Sequence, residues 1–68
     1  MAPYIFKLGQ KVTGCVLDKR IEVILIKVDQ IETINRKPYK AHVGEWVTAD
    51  GITIRHTFVP ELYNDLLP

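Results

Sequence analysis

The chain has 68 residues, of which 47% are hydrophobic and 25% charged, and its formal net charge is +1. A chain this short buries only about 60% of the surface its unfolded form exposes, which argues against a deep enclosed pocket and so against most enzymes. Nine basic residues against eight acidic ones fall short of the clear excess of a dedicated nucleic-acid binder, and the apolar content is that of a globular domain rather than a disordered segment.

One domain spanning residues 1–68 is expected. The single cysteine, Cys15, cannot form an internal disulfide, and a secreted domain this small would need several, so the expected compartment is a reducing cytoplasm. The opening MAPYIFKLGQ has no basic stretch followed by a long apolar run, unlike a signal peptide. The longest mostly apolar run, IEVILIKV, is far shorter than the roughly 20 residues a bilayer crossing takes, so no membrane partner is expected.

Taken in chain order, residues 4–7 offer a short first strand. Residues 11–17 alternate loosely around Val12 and Val16, with Gly9 and Gly14 marking a bulge or bend; the polar residues 18–20 form a turn. Residues 20–33 are rich in β-branched side chains, which favours strand. Their apolar positions change parity: Ile21, Val23 and Leu25 share one face, whereas Ile24, Ile26 and Val28 share the other. A strongly bent strand serving both sides of a small barrel reads this way; a buried helix is the rival reading. Residues 33–38 form a connecting loop with Asn35 and Pro38 as turn residues.

Asp50-Gly51 is a two-residue hairpin signal. Centred there, the register sets Val47 opposite Ile54, Trp46 opposite Arg55, Glu45 opposite His56 and Val43 opposite Phe58. Alternation then gives a core face of Tyr39, Ala41, Val43, Val47, Ile54 and Phe58. The outer face holds Lys40, His42, Trp46, Thr48, Thr53, Arg55 and Thr57. Pro60 ends the last long strand, and residues 61–67 suit one helical turn that folds back Leu62, Leu66 and Tyr63 as a lid.

Four or five antiparallel strands and a C-terminal helical turn make an all-β domain. The stretch LGQKVTG, residues 8–14, and the tight third-to-fourth hairpin resemble the SH3-like small β-barrels; a five-stranded oligonucleotide-binding barrel is the other architecture of this size. The resemblance concerns architecture alone and implies no activity.

No catalytic constellation is visible. The chain has no serine, and Cys15 sits beside Val16 as a small core residue would. Its glycines lack the spacing of a phosphate loop, so no cofactor is expected. Cys15, His42 and His56 lack metal-ligand spacing, and the hairpin register sets the two histidines on opposite faces. Glu45 and His56 read as a cross-strand pair. What stands out is Trp46 opposite Arg55, with Lys40 and His42 on the same face and Arg36 and Lys37 in the adjoining loop. An aromatic among cations suits a protein-interface hot spot and equally a nucleic-acid platform; the alternative is that Trp46 packs under the terminal turn or against Tyr4 and Phe6. The expected function is therefore binding without catalysis, first through protein interaction or self-association by the outer face of residues 43–58, second through nucleic acid.

Overall fold

The computed structural model describes residues 4–68. Five strands, β1 (Lys11–Val16), β2 (Lys19–Ile34), β3 (Lys37–Val47), β4 (Thr53–Phe58) and β5 (Leu66–Leu67), and a one-turn helix, α1 (Pro60–Tyr63), follow one another along the chain. All neighbouring strands are antiparallel, in the order β4-β3-β2-β1-β5. The sheet is open, with β4 and β5 at its two edges. The first segment, residues 4–7, is not a strand; the fifth strand is instead β5, which pairs with β1 through Thr13 and Leu67 and through Gly14 and Leu66.

β2 accounts for the parity change in its sequence. Its pairing with β3 slips twice, between Leu25 and Lys27 and between Lys27 and Gln30. Each slip is a β-bulge, which adds a residue to one strand and increases its bend. Val23 and Leu25 are buried before the first bulge, and Ile26 within it and Val28 beyond it are half-buried. Asp29 lies in the second bulge at φ 55°.

The three hairpin turns are not built as the glycine pattern suggests. Leu17-Asp18 and Asn35-Arg36 are two-residue loops, closed by the pairs Val16 with Lys19 and Ile34 with Lys37. All four residues have positive φ, as a type I′ turn demands. The Asp50-Gly51 turn has one residue more. Thr48 N–H donates to the Ile52 carbonyl at 2.9 Å and Gly51 N–H to the Thr48 carbonyl at 2.9 Å. With Gly51 at φ 81°, this is a three-residue loop ending in a glycine bulge.

That extra residue moves the register by one. Trp46 pairs with Ile54, Glu45 with Arg55, Val47 with Thr53 and His42 with Phe58. The expected faces of β3 are therefore exchanged toward the turn: Trp46 packs against the core, while Val47 is 64% exposed; Ala41, expected in the core, is fully buried. Ile54, expected in the core, lies on Phe58's side of the strand but is 37% exposed near the turn of the hairpin. Phe58 does lie in the core, fully buried. The opposite-face expectation for the two histidines also falls, since His42 and His56 now share Phe58's side of the sheet. Cys15, expected in the core, points outward from β1 and is exposed.

The core is Phe6, Val12, Val23, Leu25, Phe58 and Leu66, with Val16, Ile21, Val28 and Trp46 packed against it. Phe58 sits at its centre. A Cβ on Gly14 of β1 would lie 2.6 Å from the Phe58 ring, and one on Gly44 of β3 would lie 2.9 Å from it and 2.8 Å from Val23. The ring thus occupies space that two glycines leave open. The N-terminal segment closes one end: Gly9 N–H donates to the Leu25 carbonyl at 2.7 Å, and Leu25 N–H to the Gln10 carbonyl at 3.0 Å, which carries Phe6 onto the core. The expected lid is real only in part. Leu66 is buried, but Leu62 and Tyr63 are exposed.

Replacing Phe58 with Ala should cost about 3–5 kcal/mol, the range for a core aromatic, and so leave a domain this small largely unfolded. A urea or thermal melt by circular dichroism that matches the parent would contradict this placement.

Candidate functional site

The one-residue shift rebuilds the outer face of the sheet. Following the ladders across it, Arg55 of β4 opposes Glu45 of β3, Glu45 opposes Ile24 of β2, and Ile24 opposes Lys11 of β1. Arg55 and Glu45 form an ion pair at 3.6 Å, and Lys11 and Glu22 another at 3.9 Å. Between the two pairs lie exposed Ile24 and Val47, with Ile52 exposed at the hairpin turn. An apolar centre flanked by acid–base pairs is the resulting surface. The expected Glu45–His56 pair is absent: His56 opposes Gly44, and its ring stands edge-on to Phe58 at 4.8 Å.

Trp46 does not share this face with Arg55, so the two are not the facing pair that the sequence suggested. The β2–β3 ladder begins only at Ile24 and Glu45. Beyond that pair the two strands part, and a cleft of about 490 Å³ opens, lined by Ile21, Ile24, Ile26, Glu45, Trp46 and Val47. Trp46 is half-buried there, one side toward the core and the other toward the cleft.

Lys40 and His42 belong to another place, at the opposite end of β3. His42 is only 4% exposed. Its Nδ1 accepts the Asp29 N–H at 3.1 Å, which leaves the neutral ring's proton on Nε2. The ring packs on Phe6, with centroids 4.9 Å apart, and Phe6 meets Tyr4 edge-on at 6.2 Å. Lys40 N–H donates to Glu61 Oε1 at 2.9 Å, tying α1 to β3. A cavity of about 540 Å³ is lined by Tyr4, Phe6, Asp29, Lys40, His42 and Glu61 among others. Arg36 and Lys37 are exposed at the far tip of the β2–β3 hairpin, remote from Trp46 in the ladder. The six candidate residues thus fall into three places: Trp46 in the cleft, with Arg55 on the outer face beside it; Lys40 and His42 by α1; and Arg36 and Lys37 at the hairpin tip.

Asp65 is a residue that sequence reasoning passed over. Its Oδ2 accepts the Val59 N–H at 3.3 Å, while Oδ1 is buried with no partner among the described residues. Burial raises its pKa above the usual carboxylate value, against the hydrogen bonds from Val59 and its own backbone and the pull of His56 and His42. Among the described residues no three His, Cys, Asp or Glu side chains converge as a metal site would require, and no helix is long and apolar enough to cross a membrane.

No protein-family model matches the chain, nor does any curated protein or solved structure.

Burial lowers the His42 pKa below 6.5; Asp29, Glu61 and Asp65 oppose this, and Lys40 adds to it. The unfolded chain therefore binds the proton more tightly than the folded one. Stability that His42 confers is present above pH 6.5 and is lost as pH falls through that value toward the folded pKa. Asp65, with its raised pKa, has the opposite sign: it favours the fold below pH 3.8, and that contribution is lost as pH rises through the folded value. Urea melts across the neutral-to-mildly-acid range should show stability falling with pH, and His42→Gln, which retains an acceptor for the Asp29 N–H, should flatten that slope. An unchanged slope in the variant would contradict the assignment.

Proposed function

We propose that this chain is a small β-domain that works by binding protein rather than by catalysis, and that its partner is a second copy meeting it through the outer face of β2, β3 and β4. The observation that carries the reading is the transverse row Arg55–Glu45–Ile24–Lys11 beside Val47. Its apolar residues have no cover among the described residues: Val47 is 64% exposed and Ile24 40%. Scattered apolar residues are ordinary on a surface, but a contiguous apolar patch with a polar rim marks an interaction site.

Charge favours a like partner. The rim carries two bases, Lys11 and Arg55, and two acids, Glu22 and Glu45, already paired in cis. A twofold axis sets the same patch against itself, so acids of one copy can oppose bases of the other at no net charge. A phosphate backbone would meet as many repelling groups as attracting ones here. The size also suits a dimer: a standard interface takes about 800 Å² from each partner, about 15% of the 5189 Å² this chain exposes. Covering the cleft beside Trp46 would add to a core that is thin for its length.

The kinship with SH3-like barrels is part of this proposal. The sharply bulged β2, shared between both halves of the sheet, and the helical turn before the last strand support it. A reducing cytoplasm suits an exposed, unpaired Cys15.

Sedimentation velocity over a concentration series should show a monomer–dimer equilibrium that responds little to salt. Val47→Glu should shift it to monomer without altering the melt, because that side chain leaves no cavity in the core. A parent that stays monomeric into the high-micromolar range would overturn the proposal.

A further inference from the structure

The β2–β3 hairpin extends well past the core. From residue 29 to residue 40 no side chain is buried, and only Ile34 and Tyr39 are half-buried. Five consecutive pairs, from Gln30 with Ala41 to Ile34 with Lys37, make a two-stranded ribbon, and the molecule measures 37 × 22 × 20 Å. At about 3.4 Å per residue the five pairs span about 14 Å. The base of the ribbon is held by the domain, through buried Ala41 and the bond from Lys40 N–H to Glu61 of α1, and the pairs beyond it project as an arm; a two-stranded ribbon is only marginally stable in water by itself, so a docking partner would favour it.

Charge is sorted along this arm. The ribbon, residues 30–41, holds three bases, Arg36, Lys37 and Lys40, against one acid, Glu32, for a net +2; the whole chain is +1, so the remainder is −1. Between residues 33 and 39 the only charged groups are Arg36 and Lys37. Among the described residues neither they nor Lys40 form an ion pair. The turn holds Asn35 at φ 53° and Arg36 at φ 66°, which puts these two side chains at the apex.

We propose that this ribbon reads duplex DNA from the major groove. That groove is about 12 Å wide and about 8.5 Å deep and admits a two-stranded β-ribbon. An arm of about 14 Å is longer than the groove is deep, so its apex can reach the groove floor. The apex residues are of the right kind: Asn pairs with the N6/N7 edge of adenine and Arg with the O6/N7 edge of guanine. Lys37 and Lys40, beside the apex and further back, are placed for phosphates, which hold register without carrying sequence. The acids Glu32 and Asp29 stand back from the tip. Duplex RNA is a poor fit, because its major groove is too deep and narrow for side chains to read. This site is separate from the outer face and does not depend on dimerisation.

The test is fluorescence anisotropy of the full chain with labelled duplex DNA of mixed sequence, duplex RNA and single-stranded DNA at low salt. Duplex DNA should bind tightest, and affinity should fall as salt rises because neutralised phosphates release counterions. The double substitution Arg36→Ala and Lys37→Ala should weaken binding at least about tenfold and lower the salt slope by about one unit for each phosphate no longer neutralised, with an unchanged melt. Asn35→Ala should blunt sequence preference with a smaller drop in affinity. Lys19→Ala, which removes an exposed base at the opposite end of β2, should bind as the parent does. Failure to bind duplex DNA at low salt, equal binding of duplex RNA, or parental affinity in the double variant would each overturn the proposal.

Discussion

The fold depends on one aromatic ring held between two glycines. Phe58 projects from β4, yet its ring lies where Cβ atoms of Gly14 on β1 and Gly44 on β3 would have been. β4 and β1 are separated by two strands in the sheet order, about 14 Å apart if the sheet were flat, at about 4.8 Å per strand. A single ring can touch both only if the sheet curls over it. The missing Cβ atoms let the backbones come that close, and the ring fills the space so formed. The two bulges of β2 supply the bend that this curl requires, and Val12, Val23, Leu25 and Leu66 pack around the ring.

Placing the core there determines what is left outside. One side of β3 must turn His42, Gly44 and Trp46 inward, so Val43, Glu45 and Val47 turn outward beside Ile24 and Arg55. The curl also limits how much of β2 and β3 the core can cover. Their first pair is Ile24 with Glu45, beyond which they part around Trp46. At the other end they run on together as a ribbon. The apolar outer face, the cleft and the basic arm thus have one origin: a small core that covers only the middle of long strands.

Much of this was legible in the sequence. The strand content, the bent β2, the hairpin at Asp50-Gly51, Phe58 as a core residue and a helical turn near Pro60 all follow from β-branching, alternation and turn chemistry, although Leu66 and Leu67, expected in that turn, form β5. The β3 faces did not follow, because Asp50-Gly51 serves equally in a two-residue turn and in a three-residue turn with a glycine bulge, and one residue exchanges every side chain between faces. A signal was present. Gly44 in the middle of an otherwise bulky strand marks a close approach, and placing it inward sets Trp46 inward with it. The two-residue turns at Leu17-Asp18 and Asn35-Arg36 were obscured for the opposite reason: they contain no glycine, and pairing on both sides holds Leu17 and Arg36 at positive φ. The candidate site was legible only as a set of residue types, since a single ladder shift decided whether Trp46 and Arg55 would share a face.

A double-mutant cycle between Gly14 and Phe58 tests the central constraint most directly. Gly14→Ala alone should destabilise the fold by about 1–3 kcal/mol, as overpacking does. In a Phe58→Leu background, where the ring is gone, the same substitution should cost distinctly less, giving a coupling of about 0.5 kcal/mol or more, as residues in contact do. Equal costs in both backgrounds would mean that the ring does not occupy the space beside Gly14, and the account of how this sheet curls would be wrong.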